Sequence, residues 1–437
     1  MKRHLQTRAA WPVPVVLSLA LAWPALAEDR DEGAWLEAAA LDRSALVRAV
    51  LASNRTLAAA RASSHAAAAR VRSSGVLADP TVTGGIAPLS IGSSRARVGW
   101  EASISERLPW PGKLRAETAA AQADAEASRD DLEEGRRQLA LAACGLFDDY
   151  FADVRSLEVN ERHRALMRTM QEAAAGQYEA GRASAQDALE AELELAHMEH
   201  DAAVLEAQRR VTVARLNELL HRPPEAPLPP PPGALVPSAR SGGTDPGRLQ
   251  AEAVARRPDI AAARTRARAE AARAERASRD LLPDVTVSTS FDSMWDTPEH
   301  RWMVGLGVDL PLPSGRRAGA VEEADAMRAF HEAEAEQKAD AARTEVAVAL
   351  ARLDESEHLV HLLAERIVPV ARTRVETARA AFAASRAPFA SAIEAERDLR
   401  SAELELEEGL AECDRRSAEL DRALGRVPGL ASPEVSP

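Results

Sequence analysis

The chain has 437 residues, a formal net charge of -13, 26 prolines, 22 glycines and only 3 % aromatic residues, and alanine runs such as Ala66-Ala67-Ala68-Ala69 supply much of its 46 % hydrophobic content. Apolar residues recurring at helical spacing exclude intrinsic disorder, and so few aromatics exclude a large aromatic core. Abundant Ala, Glu, Arg and Leu describe long, closely packed helices, and an acidic chain with no basic tract is not a nucleic-acid binder.

Residues 1–27 read as a secretory signal. Lys2, Arg3 and Arg8 form its basic start, 13–22 is a short apolar run, and Ala25-Leu26-Ala27 is a small-x-small cleavage site. The run falls short of the ~20 residues a membrane helix needs. Position 28 is Glu, so no cysteine stands there for lipid attachment. No later stretch is apolar for long enough to span a membrane as a helix, which leaves a β-barrel as the route into one. Cys144 and Cys413 are too few for a disulfide framework, and their heights along the helices differ too much for them to bond.

The rest of the chain is written twice, at an offset of about 203 residues. Asn54-Arg55-Thr56-Leu57-Ala58-Ala59-Ala60-Arg61 returns as Arg257-Pro258-Asp259-Ile260-Ala261-Ala262-Ala263-Arg264. Asp79-Pro80 returns as Leu282-Pro283, Leu108-Pro109-Trp110-Pro111 as Leu310-Pro311-Leu312-Pro313, and Leu189-Glu190-Ala191-Glu192 as Ile393-Glu394-Ala395-Glu396. The first repeat covers 28–222: two helices, a β-hairpin at about 80–108, and a coiled-coil hairpin at about 114–221. A proline-rich linker at 223–247 must be extended, because consecutive prolines forbid helix. The second repeat covers 248–426, with a hairpin at about 283–311 and a coiled-coil hairpin at about 316–424, and 427–437 is a tail.

The long helical arms, about 67 and 69 residues, would each run on the order of 100 Å. Val346, Leu350, Leu353, Val360, Leu363, Ile367 and Val370 fall at 3- and 4-residue steps, with Glu357 as the one polar interruption, and predict a seam with a kink at Pro369.

Both hairpins alternate. Ala96, Val98, Trp100, Ala102 and Ile104 interleave with Arg95, Arg97, Gly99, Glu101, Ser103 and Ser105, and Trp302, Val304, Leu306 and Val308 interleave with Arg301, Met303, Gly305, Gly307 and Asp309. Val285, Val287 and Phe291 oppose Asp284, Thr286, Ser288 and Ser290, while 81–87 offers only Val82 and Ile86. A barrel wall between lipid and water requires this period of two. Four strands cannot close a barrel of at least ~8, so several protomers must share one.

In this order the pattern resembles the TolC-type outer-membrane efflux channel family over nearly the whole chain after residue 27. Asn54, Arg257-Pro258-Asp259, Asp79-Pro80, Leu282-Pro283, Leu108-Pro109-Trp110-Pro111-Gly112-Lys113, Tyr178-x-x-Gly181-x-x-Ser184 and Leu216-Asn217-Glu218-Leu219-Leu220 carry the resemblance. It implies a mainly α-helical fold with membrane β: a homotrimer whose four strands per protomer make a twelve-stranded outer-membrane β-barrel, continued by a periplasmic α-helical barrel. The Pro-Trp-Pro-Gly-Lys segment looks most like the heavy-metal branch (cobalt–zinc–cadmium or copper–silver). The implied role is the outer-membrane exit duct of a tripartite efflux pump for small solutes or metal cations. Its partners would be a periplasmic membrane-fusion adaptor, an inner-membrane RND-type or ABC transporter, and outer-membrane lipid; no cofactor and no nucleic acid are implied.

The two helix–turn–helix tips, Gly181-Arg182-Ala183-Ser184 and Ser385-Arg386-Ala387-Pro388, would face the adaptor. Gly181 frees the backbone for a tight reversal and Ser184 can cap the next helix, whereas the second tip lacks both features. Tyr178, Asp187, Glu190, Phe382 and Glu394 lie beside the tips. Threefold symmetry would turn any pore-facing carboxylate among them into a ring that attracts cations. The sequence leaves open whether they face the pore or outer solvent.

Two His-x-x-His pairs, His197/His200 and His358/His361, share helix faces but have no third ligand at helical spacing, so no metal site is assigned. No catalytic constellation is present: Arg107 stands where a P-loop before Gly112-Lys113 needs glycine, and position 335, where His331-Glu332 would need a second histidine, is Ala. The rival readings are an outer-membrane component of type I protein secretion and a periplasmic coiled-coil adaptor or scaffold that stays out of the membrane.

Overall fold

The computed structural model describes residues 34–92, 94, 98–181, 184–235, 245–312, 315–384 and 386–430. The signal segment, Arg182, Ala183, Ser385 and the hairpin residues Arg95, Ala96 and Arg97 lie outside the described residues.

The first repeat runs α1 (Arg43–Ser53), α2 (Arg55–Ser73), β1 (Thr81–Ile86), β2 (Trp100–Leu108), α3 (Lys113–Glu179) and α4 (Ala185–Leu219). The second runs α5 (Pro246–Arg256), α6 (Pro258–Arg279), β3 (Asp284–Asp292), β4 (Trp302–Asp309), α7 (Gly315–Leu362), α8 (Val368–Ala383) and α9 (Phe389–Ala423). The same helix junction is made twice by different chemistry. Asn54 ends α1 and caps α2, its Oδ1 accepting from the Thr56 N–H at 2.9 Å while its amide donates to the Leu219 carbonyl at 3.1 Å. At the equivalent place Pro258 opens α6, needing no donor there, and the buried Arg257 guanidinium pairs with Asp259 and Glu345.

α3 is a single helix of 67 residues. Its counterpart is broken: a π-helical turn, Leu363–Ile367, separates α7 from α8 just before Pro369. Pro369 has no N–H, and the wider turn absorbs the missing bond. The turn also corrects the predicted seam. Val346, Leu353 and Leu363 are buried and Leu350 and Val360 half-buried, but Ile367 and Val370 are exposed, Val370 at 67 %. The extra residue in the π turn rotates the following helix, so Val368, Ala371 and Val375 take the buried face against Ala395, Leu399 and Ala402 of α9.

The largest core cluster lies where α1, α3 and α4 meet, around Leu46, Val50, Phe147, Tyr150 and Leu216. The described part of the proline-rich linker turns at 224–225, where the Ala226 N–H donates to the Pro223 carbonyl, and is strapped to this core: Tyr150 Oη donates to the Pro229 carbonyl at 3.2 Å and the Leu41 N–H to that of Pro230 at 2.7 Å.

The four strands form one antiparallel sheet in the order β1-β2-β3-β4. β2 begins at Trp100, later than the alternation suggested, and continues to Leu108. β2 pairs with β3, so the two repeats meet strand to strand.

Candidate channel wall and periplasmic tips

Register sorts the sheet into two chemically opposite faces. Val82 stands opposite Ile104, Ile104 opposite Thr289, and Thr289 opposite Val304. The same face therefore carries Ile86, Trp100, Val285, Val287, Phe291, Trp302, Leu306 and Val308, with Glu106 as its one charged residue, near the helical end of β2. The other face carries Thr81, Thr83, Glu101, Ser103, Ser105, Thr286, Ser288, Ser290 and Asp309. Among the described residues no element covers the apolar face: Val304 is 85 % exposed, Val82 74 % and Leu306 73 %. A soluble hairpin would turn this face onto a core, so its exposure calls for a lipid-like surround. β1 and β4 are the outer strands, each with an edge of unpaired backbone groups that lipid could not satisfy. Among the described residues no helix is long and apolar enough to cross a membrane.

At the helical end, the polar face is tied down by charge. The Lys113 ammonium is buried and lies 2.7 Å from Asp284 and 3.4 Å from Asp280, and Arg107 bridges Asp284 and Asp309 at 3.0 and 3.3 Å. The Trp110 N–H donates to Asp284 Oδ1 at 2.8 Å. Gly112 makes the turn into α3 at φ +95°; a Cβ there would lie 1.6 Å from Arg279 Nη1, which donates to the Pro111 carbonyl.

Residues 249–426 match the outer membrane efflux protein family. The match covers the second repeat. The fold of the whole chain is that of solved outer-membrane channels. The structure of the outer-membrane channel OprN superposes with a TM-score of 0.76 at 22 % identity, covering 88 % of this chain and 89 % of that one. CusC, described for its transmembrane channel formation, gives 0.76 at 17 % identity, with 97 % and 99 % covered. The outer membrane protein VceC from Vibrio cholerae gives 0.74 at 18 %, with 88 % and 96 % covered. No curated protein sequence matches the chain.

The two helix–turn–helix tips differ. Gly181 turns at φ +71° with open space around its α-carbon. Ser184 and Asp187 form a reciprocal capping box: Ser184 Oγ accepts from the Asp187 N–H at 3.3 Å, and Asp187 Oδ2 accepts from the Ser184 N–H at 3.0 Å. The Asp187 carboxylate is thereby occupied in holding the first turn of α4. Glu190 accepts from Gln186 Nε2 at 3.0 Å. The second tip has no side-chain cap: Pro388 precedes α9, and the Arg386 N–H closes the reversal on the Ala381 carbonyl at 2.8 Å. Ala387, between Arg386 and Pro388, belongs to the same bend.

The aromatic pair flanking the tips also splits. Tyr178 is 52 % exposed, whereas Phe382 is buried against Phe389, ring centroids 4.8 Å apart, in a cluster with Met167, Met198 and Ile393. Glu394 is exposed and lies 3.7 Å from Arg374. His197, His200, His358 and His361 are all exposed, and among the described residues no group of three or more His, Cys, Asp or Glu side chains is arranged to hold a metal ion. Cys144 and Cys413 are buried and not joined in a disulfide, and burial pushes the Cys144 thiol up to about 12.

The polar seam between the two helical hairpins escaped sequence reasoning. Glu194 of α4 is buried and pairs with Arg397 of α9 at 2.5 Å, Asp201 pairs with Arg400 at 2.7 Å, and His163 of α3 sits between Glu396 and Glu403 of α9. One signal was available. Glu396 and Glu403 stand one heptad apart on the stripe that also carries Leu399 and Ala402, where acids need partners.

Proposed function

We propose that three copies of this chain close a twelve-stranded barrel in the outer membrane and that their helical arms form a periplasmic duct. In this arrangement β1 of one protomer pairs with β4 of the next, the apolar face meets lipid, and the face of Ser103, Ser105, Ser288 and Ser290 lines a wet interior. The observation that carries the reading is the single apolar face shared by four strands of an open sheet.

The duct is a passive exit for small solutes or metal cations. Energy and selection come from an inner-membrane RND-type or ABC transporter, and a membrane-fusion adaptor grips the tips. Gly181 supports that role, since its uncrowded left-handed turn leaves backbone groups accessible to a partner hairpin. The net charge of -13 favours cation passage over anion passage.

Membrane fractionation with gel mobility before and after heating tests the proposal. It predicts recovery in the outer membrane and an unheated band near three times the protomer mass. A soluble periplasmic monomer would refute it and favour a scaffold.

A further inference from the structure

The ring of His163 is buried on α3, 18 residues before Gly181 of the first tip, or about 27 Å at ~1.5 Å per residue. Both ring nitrogens face carboxylates of α9: Nδ1 lies 2.5 Å from Glu396 Oε1 and Nε2 lies 3.2 Å from Glu403 Oε2. A neutral imidazole has one N–H and cannot donate to both, so with both carboxyls ionised this geometry calls for the imidazolium.

The surrounding charges come from every neighbouring element. On α3, Arg162 reaches Glu403 at 3.1 Å and Asn160 donates to the Met198 carbonyl of α4 at 3.0 Å. From α8, Arg372 reaches Glu403 at 2.7 Å. On α9, Arg400 pairs with Asp201 of α4 and lies 3.5 Å from Asn160 Oδ1, and Arg397 of α9 pairs with Glu194 of α4. Glu403 therefore keeps two arginines whatever His163 does. Glu396 does not: it is fully buried, and its Oε2 has no hydrogen-bond partner.

We propose that His163 is a proton-operated latch on the duct wall: charged, it ties α9 to α3, and on losing its proton it frees the α8–α9 hairpin to move away from α3. The inference rests on the channel reading and deepens it by naming a group that sets when the wall loosens. The neutral ring keeps at most one N–H. If it stays on Glu396, the Nε2 lone pair meets Glu403 acceptor to acceptor; if it moves, Glu396 becomes a buried carboxylate with no donor.

Burial opposes the charged ring, but the bonds to Glu396 and Glu403 outweigh it and hold the His163 pKa above its ordinary 6.5. The hydrogen bond from His163, against the opposing effect of burial, and then Arg372 hold Glu403 down at about 2. The raised histidine contributes fully below pH 6.5 and loses its contribution as pH climbs through its folded value. The depressed Glu403 contributes above its ordinary 4.5 and loses its contribution as pH falls toward about 2. The latch is thus tightest between those two ordinary values and releases on the alkaline side.

The test is hydrogen exchange over 160–163 and 396–403 of the purified full-length protein at pH 6 and 8.5, corrected for intrinsic rates, alongside planar-bilayer conductance at the same pH values. Wild type is expected to lose protection and open at high pH, the open-to-closed ratio changing by at most about tenfold per pH unit for one proton. His163→Gln should be unprotected at both pH values, and His163→Lys, which keeps a charge, protected at both. A role as a static staple would not produce that split. Wild-type protection that ignores pH overturns the latch without requiring any variant to fold, and so does a His163→Gln profile that tracks wild type. A protein that never conducts yet keeps its His163-dependent exchange profile would overturn the channel reading and leave the latch standing.

Discussion

Trp100 of the first repeat stacks against Phe291 of the second with ring centroids 4.8 Å apart, and Phe291 in turn meets Trp302 edge-on at 5.2 Å. The contact crosses the strand pair that joins the two repeats and marks one end of the apolar face, where aromatic rings suit a membrane boundary. It lies on the face that the channel reading turns to lipid.

That assignment predicts opposite outcomes for two arginine substitutions on neighbouring strands. Val304→Arg places a charge on the lipid face and should cost about 2–4 kcal/mol near mid-membrane, lowering the fraction recovered as heat-modifiable trimer. Ser290→Arg, on the polar face, should insert and assemble like wild type. Equal recovery of the two variants would contradict the assignment.

Two glycines with positive φ should behave differently. Gly112→Ala pays the left-handed backbone cost of about 1–2 kcal/mol, and its Cβ also drives Arg279 off the Pro111 carbonyl, a loss of about 1 kcal/mol. Gly181→Ala pays the backbone cost alone, because nothing lies within 4 Å of its added methyl. Thermal dissociation of the native trimer should fall visibly for the first and little for the second, while export activity in cells should fall for the second through adaptor engagement.

Much of this architecture could be read in the sequence because it is written in local, repeated signals. The prolines at 80, 258 and 283 mark where elements begin, and alternation along 302–308 marks which side chains share a face. The failures have a common cause. Ile367 and Val370 were assigned to the seam on a fixed helical period, and the π turn before Pro369 shifted that period by one residue. Phe382 stands 204 residues after Tyr178, within the spacing of the duplication, yet among the described residues only Phe382 has an aromatic partner, Phe389, after its turn. His163 meets Glu396 and Glu403 across more than 200 residues of chain, a distance at which no local pattern operates.

A second buried carboxylate gives a pH prediction independent of the latch. Asp148 is fully buried; burial pushes its carboxyl up to about 8 despite the Arg43 guanidinium 2.9 Å away, and neighbouring Asp414 adds to the rise. An acid whose folded pKa is raised stabilises most below its ordinary value near 3.8 and loses that contribution as pH rises toward 8. Asp148→Asn removes the dependence, and Arg43 retains Asp414 at 2.7 Å. The melting temperature of Asp148→Asn relative to wild type should therefore rise between pH 5 and pH 8.5. His163 contributes the same sign to both proteins and cancels in the difference.

The claim on which the channel reading depends is that the β1 edge of one protomer meets the β4 edge of the next. Thr83→Cys on β1, combined in turn with Met303→Cys, Gly305→Cys or Gly307→Cys on the same face of β4, tests it directly in a chain whose Cys144 and Cys413 are replaced by alanine. Oxidation in intact outer membranes should give at least one pairing that yields covalent dimer and trimer bands and nothing larger. Monomer alone from all three pairings, or a ladder extending past the trimer, would contradict a closed twelve-stranded barrel.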